Sequence, residues 1–198
     1  MSRTFGTALR LTLLSWAVFG LGYPLLEVGV NQLAFPAAAN GSLVRVKGQV
    51  VGSRLIEQRF TGSGWFHGRP SAVHMNPRTS GGSNLGPSSA KLARHLAARR
   101  ARLLASHPRL AGQRLPADMI TSSGSGLDPD ITPANAYLQA PWVARSRGLP
   151  LAVVRHLVAR HVRGPWLGLF GQARVDVLSL NLGLRRIAAR ARRARMAP

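Results

Sequence analysis

The stretch LTLLSWAVFGLGYPLL, Leu11 to Leu26, carries no charge. Glu27 interrupts it, and Val28-Gly29-Val30 continue the apolar pattern. A helix that crosses a bilayer needs ~20 mostly apolar residues. Residues 9–30 reach that length by including Arg10 and Glu27 near the ends, where long side chains snorkel to the interface. Tyr23 lies toward the far side, where an interfacial ring is favoured. Pro24 is expected to kink the last turns, a disturbance tolerated where a neighbouring helix satisfies the freed carbonyl. Gly20 and Gly22 leave little side chain at that level and permit close helix packing. This reads as an anchor made to lie against other helices. Arg3 and Arg10 before the apolar run, with Ala37-Ala38-Ala39 after it, also fit a cleaved leader. The length of the run, and Pro24 and Glu27 falling before that site, favour a retained anchor.

The rest of the 198 residues supply enough apolar material, 45% overall, for one domain. Lys and Arg number 27 against 6 acids, a formal charge of +21, and only Lys47 and Lys91 are lysines. Such a balance points to anionic partners. The arginines are spread along the chain and form no single stripe, so nucleic acid is not the expected partner. The absence of cysteine removes disulfides, thiol nucleophiles and cysteine-ligated zinc. Basic residues on either side of the anchor nearly balance: Arg3 and Arg10 before it, Arg45 and Lys47 after it. With the free amine the bias toward a cytoplasmic N-terminus is slight and does not by itself decide orientation; a cytoplasmic N-terminus with the domain outside is the expectation.

Beyond the anchor, residues 35–42 read as a linker and turn. Leu43 to Lys47 and Gln49 to Val51 flank Gly48 as a hairpin, and residues 54–60 lean toward a further strand. Thr61 to Ser89 is a long Gly-, Ser-, Pro- and Asn-rich segment, a length that in a compact domain marks a functional loop or contact surface. Helices follow: one capped by Ser88 or Ser89 and ending before Pro108, one from Pro133 to Arg147 capped by Thr132, one from Pro150 to about Val162, and one from near Arg174. The arginine-rich stretch 185–195 reads as a frayed extension.

Catalytic signals are scarce. No Gly-rich loop ends in Gly-Lys-Ser/Thr, and His156 and His161, five apart, do not share a helix face as a zinc pair would. Asp128-Pro129-Asp130 reads as a turn with a helix-capping acid, and six acids are a thin inventory for acid–base chemistry. The positive signals are three glycine-punctuated polar loops. Phe66-His67-Gly68-Arg69-Pro70-Ser71 sets a ring, an imidazole, a cation and a hydroxyl on a backbone shaped by Gly and Pro. Ser80-Gly81-Gly82-Ser83-Asn84-Leu85 offers free backbone groups suited to gripping a partner or an ion. Ser123 to Pro129 is the third.

The order and spacing of these loops carry a resemblance. Gly22-Tyr23-Pro24-Leu25-Leu26, Asn40-Gly41-Ser42-Leu43, Phe60-Thr61-Gly62, Trp65 to Ser71, Ser80 to Leu85, Ser125 to Pro129, Gln139, Gly171-Gln172 and Leu180-Asn181-Leu182 together resemble the KdpC family, to about Leu184. Glu57 stands where that pattern expects a small residue, Trp142 where it expects Arg, Ser179 where it expects an acid, and Arg185 where it expects Asp. The resemblance implies an α+β fold: a cytoplasmic tail (1–8), a transmembrane helix (9–30), a linker (31–42), a single extracytoplasmic α+β domain (43–187) and a basic tail (188–198). It implies a subunit without catalysis of its own in a bacterial cell membrane. Its partners would be a potassium-channel-like subunit, a P-type ATPase subunit and a small peptide subunit, besides membrane lipid. ATP and potassium would be used by the whole complex, with no cofactor bound by this chain. The implied role is to assist assembly and raise the ATP affinity of the ATPase subunit. The residues expected to contact partners are His67, Gly68, Arg69, Pro70, Ser71, Ser80, Gly81, Gly82, Ser83 and Asn84, with Gly20, Gly22, Tyr23 and Pro24 packing the anchor. Gln139, with the Ser80–Asn84 loop, is the candidate for nucleotide contact that the family's ATP-binding label suggests. The competing expectation is a membrane-tethered basic module for anionic polymer or lipid.

Overall fold

The computed structural model describes residues 2–196, which divide into a first unit ending at Val51 and a second beginning at Gly52. In the first, one continuous helix runs through α1 (Ser2–Ser15), a π-helical stretch (Trp16–Gly22) and α2 (Tyr23–Ala34). Its 32 residues from Arg3 to Ala34 contain a window of mean hydropathy 1.5, long and apolar enough to cross a membrane. At ~1.5 Å per residue the helix measures about 48 Å, so its ends exceed a ~30 Å hydrocarbon layer. The sequence places the disturbance at Pro24, and the structure resolves it one step earlier. A proline ring has no N–H and presses on the carbonyl four residues back, here Gly20. The π stretch widens the backbone there: the Tyr23 N–H donates to the Val18 carbonyl, five residues back. Gly20 and Gly22, poor helix formers, sit in this stretch.

A short helix, α3 (Pro36–Ala39), occupies the expected linker, and the Asn40 amide closes it by donating to the Pro36 carbonyl at 2.7 Å. The hairpin forms as expected, with β1 (Leu43–Val46) and β2 (Gln49–Ser53). Lys47 and Gly48 both have positive φ (52° and 82°), the primed two-residue turn whose twist matches that of paired strands.

The second unit is built on α4 (Ala90–Ser106), α5 (Pro133–Arg147), α6 (Leu151–His161) and α7 (Val177–Met196). A small antiparallel sheet has β5 (Arg174–Asp176) between β3 (Asp130–Ile131) and β4 (Val162–Arg163). Val175 pairs with both Ile131 and Val162. The core joins Ala136, Ala140 and Val143 of α5, Val154 and Val158 of α6, Leu180 and Leu184 of α7, and Phe66 from the long loop. The caps follow the sequence: Ser89 Oγ accepts the Leu92 N–H, Thr132 Oγ1 accepts the Asn135 N–H, and Gly148 ends α5 in the left-handed region.

Three expectations are corrected. Residues 54–60 form no strand: they run as turn and irregular chain, held by the Glu57 N–H donating to the Leu127 carbonyl. The last helix begins at Val177, because Val175 is spent on sheet pairing and Asp176 Oδ1 accepts the Ser179 N–H as a cap. The arginine-rich stretch continues α7 as regular helix to Met196, consistent with the high helix propensity of Ala and Arg.

Candidate functional site

The three glycine-rich loops, up to about sixty residues apart in sequence, form one assembly. Two buried side-chain amides anchor the first. Asn181, fully buried on α7, accepts the Phe66 N–H and donates to the Phe66 carbonyl, both at 2.9 Å. Gln139, 2% exposed on α5, accepts the His67 N–H at 2.9 Å and donates to the His67 carbonyl at 2.8 Å. Each amide imitates a strand partner for a backbone that has none, satisfying groups that burial would otherwise leave orphaned. The second Gln139 proton goes to Asn135, whose own amide donates to Asp118. Asp118 in turn accepts the Thr132 N–H and hydroxyl. Arg147 closes the entry to the loop, donating to the Gly64 carbonyl at 2.6 Å and lying 3.9 Å over the Trp65 ring. Burial pushes the pKa of Arg147 down, as does the charge of Arg192.

From this anchored strand the loops bind one another. Arg69 pairs with Asp128 at 3.2 Å and donates to Thr121 Oγ1 and the Ser122 carbonyl. The Ser123 N–H reaches the Pro70 carbonyl, and Ser71 Oγ donates to the Gly126 carbonyl at 2.7 Å while accepting the Val73 and Met75 N–H groups. Gly81 N–H and Ser80 Oγ both donate to the Ser125 carbonyl. The glycines permit this closeness. A Cβ on Gly82 would lie 2.9 Å from the Gly124 carbonyl oxygen. One on Gly126, whose φ is +68°, would lie 2.6 Å from the Val73 side chain and 2.8 Å from the Gly81 carbonyl oxygen. A Cβ on Gly68 would fall on the Glu57 carboxyl.

His67, Gly68, Arg69, Pro70 and Ser71 are thus half-buried and committed to internal bonds, the His67 ring to the Gly62 carbonyl. Ser80, Ser83 and Asn84 are exposed, beside Arg78 and Thr79, with Gly81 and Gly82 half-buried beneath. Gln139 does not face the same surface as Ser80–Asn84. It lines a cavity of about 160 Å³ with His67, His107 and Trp142, smaller than the ~300 Å³ at which ligand pockets begin. Gly20, Gly22, Tyr23 and Pro24 lie together at the π stretch of the first unit, all exposed.

Sequence reasoning marked Glu57 only as a departure from the family pattern and gave it no role. It is 4% exposed, and neither carboxyl oxygen has a hydrogen-bond partner among the described residues. Burial raises its pKa from 4.5 to about 7, Asp128 adds to the rise and Arg69 opposes it. Arg69 Nε and Ser123 Oγ are likewise buried without a partner. The signal was available in the sequence, as an acid where the family pattern expects a small residue. His107, tilted against Trp142 with ring centroids 4.1 Å apart, also escaped notice. Burial lowers its pKa first, and neighbouring His67 and Arg145 lower it further against the Leu103 carbonyl. Among the described residues, no three His, Cys, Asp or Glu side chains gather as metal ligands.

These features define a class: a chain with one N-terminal helix fit to cross a membrane, followed by an α+β domain whose polar loops are locked into one face. The family model described as "KdpC: K+-transporting ATPase, c chain" matches residues 5–186. Relatives named potassium-transporting ATPase KdpC subunit include one from Nitratidesulfovibrio vulgaris, 50% identical over 91% of this chain and 93% of its own length. One from Acidobacterium capsulatum is 47% identical over 90% of this chain and 95% of its own. One from Bradyrhizobium diazoefficiens is 45% identical over 96% of this chain and the whole of its own. The chain belongs to the KdpC family.

Proposed function

We propose that this chain is the accessory C subunit of an ATP-driven potassium pump, held in the cell membrane by its N-terminal helix. The domain lies outside the cytoplasm, and its loop face docks on the other subunits. The observation that carries the reading is the loop assembly itself. Two buried amides and a network of loop-to-loop bonds hold a polar rim of Arg78, Thr79, Ser80, Ser83 and Asn84 in one arrangement. A surface fixed before contact loses little conformational entropy on binding, which favours a lasting subunit interface over a catalytic cleft. The potassium-channel-like subunit is the proposed contact, with the ATPase and small peptide subunits completing the complex.

In this reading the effect on nucleotide affinity passes through the partner subunit. The Gln139 amide is spent on the loop backbone and Asn135, which supports a positioning role for it. The full chain in detergent, without partners, is expected to show no saturable nucleotide binding. Saturable binding abolished by Q139A, with the fold retained, would restore Gln139 as a nucleotide contact.

The docking role is tested by R78E/S83E, two changes on the exposed rim that touch no core residue. The variant is expected to keep its circular dichroism and melting transition but lose co-purification with the pump subunits in mild detergent. Undiminished co-purification would refute the docking face. A deletion of residues 61–89 is a poorer test, because it removes Phe66 from the core.

A further inference from the structure

A second surface stands apart from the loop assembly. Between β4 and β5 the chain runs Gly164-Pro165-Trp166-Leu167-Gly168-Leu169-Phe170-Gly171, with no charge from Arg163 to Arg174. Its large residues point away from the core: Trp166 is 67% exposed, Leu167 70%, Leu169 80% and Phe170 60%. The segment is nonetheless ordered by its own bonds. Trp166 and Phe170 exchange both backbone hydrogen bonds, at 2.8 and 2.9 Å, and their rings pack 5.8 Å apart. The Gly168 N–H donates to the Pro165 carbonyl and the Leu169 N–H to the Trp166 carbonyl. Leu167 adopts a positive φ of 52°, unfavourable for a branched side chain, and thereby stays on the outside of the turn. Four large apolar side chains are therefore displayed on an exposed tip closed by its own hydrogen bonds.

We propose that this tip inserts into the interfacial layer of an anionic bilayer, giving the domain a second membrane attachment besides its helix. Three observations select lipid as the occupant. The large side chains of the tip are apolar and 60–80% exposed, so they are free to enter a soft layer. Its one polar side-chain group is the Trp166 indole N–H, which has no partner among the described residues and suits the interfacial carbonyl level that tryptophan favours. The surroundings are basic. Arg160 and Arg163 are exposed and make no ion pair among the described residues; Arg174, paired with Asp130, lies opposite Arg163 in the sheet register. Apolar and aromatic groups rimmed by arginine are the pattern of surface-seeking segments, and the arginines supply charge complementarity to anionic headgroups.

The proposal rests on the chain being membrane-anchored, which alkaline extraction of membranes checks independently. The test uses the full chain in nanodiscs carrying brominated lipid, with W16F introduced to silence the tryptophan of the span. Bromine quenching of the remaining fluorescence is expected, and W16F/W166F should remove at least half of it. L167D/L169D in the W16F background should lift the tip out and reduce quenching to a similar degree. Replacing phosphatidylglycerol by phosphatidylcholine should lower the effect at least twofold. Quenching unchanged by W166F overturns the insertion, and quenching indifferent to lipid charge overturns the anionic assignment. Loss of subunit co-purification in L167D/L169D, without tip-dependent quenching, assigns the tip to a protein partner instead.

Discussion

Glu57→Gln is the most informative single change in the domain. The folded chain holds this carboxyl at a pKa of about 7 against an ordinary 4.5, with burial as the main cause and Asp128 as the second. The group is an acid with a raised pKa, so it is neutral in both states below about pH 4.5. Between there and about pH 7 the unfolded chain ionises while the folded chain does not, and stability falls. Above that window the loss is constant. A shift of ~2.5 units at ~1.4 kcal/mol each sets an upper bound of about 3.5 kcal/mol. That value already contains the opposing Arg69 charge, and relaxation of the surrounding loops around the ionised group reduces the expected loss to about 1–2 kcal/mol. Glutamine imitates the neutral acid, so E57Q should match the wild-type chain at pH 4 and exceed it by about 1–2 kcal/mol at pH 8. Denaturant titration of the full chain in detergent, followed by domain tryptophan fluorescence at both pH values, measures this. The comparison with E57Q cancels other titrating groups. These include Asp130, whose raised pKa gives a slope of the same sign, and His107, whose lowered pKa costs stability as pH falls. D128N should shift the Glu57 transition to lower pH by removing a like charge. Equal stability of wild type and E57Q at pH 8 would refute the reading of Glu57 as a buried, unpartnered acid.

Asn181→Ala leaves the Phe66 N–H and carbonyl without partners and should cost about 3 kcal/mol, read by chemical denaturation, because each buried orphan costs ~1–3 kcal/mol. Gly126→Ala forces a Cβ against Val73 and the Gly81 carbonyl at a positive φ, so a loss of about 2–3 kcal/mol is expected. An unchanged melting temperature in G126A would show that the loops do not meet as described. Arg69→Lys cannot reach Asp128, Thr121 and the Ser122 carbonyl together, and should speed hydrogen exchange at Ser123 and Met75 while sparing the helices.

The helices were legible because their signals are local. Ser89, Thr132 and Gly148 sit where cap chemistry requires them, and the Lys47-Gly48 turn sets the hairpin register. The span was legible from its uncharged run, although its full extent was not, since Arg3 and Arg10 continue a helix that composition alone would end earlier. The sheet was hidden because β3 and β4 are two residues each and depend on Val175 arriving from a distant segment. Residues 54–60 misled because their composition leans toward a strand, while the Glu57 N–H turns to the Leu127 carbonyl instead of to a partner strand. Among the site residues, the glycine loops announced themselves by composition. The amides that unite them, Asn181 and Gln139, lie on ordinary helices and gain meaning only when α5 and α7 meet the loop.

The docking claim is most directly tested by cysteine protection, which the natural absence of cysteine makes clean. Ser83→Cys places one thiol on the exposed rim. In intact cells a membrane-impermeant maleimide is expected to label it from outside when the chain is expressed alone, and to label it at least fivefold more slowly when the pump subunits are co-expressed. Labelling that requires permeabilised cells contradicts the proposed orientation, and labelling equally fast with and without the partners contradicts the docking face.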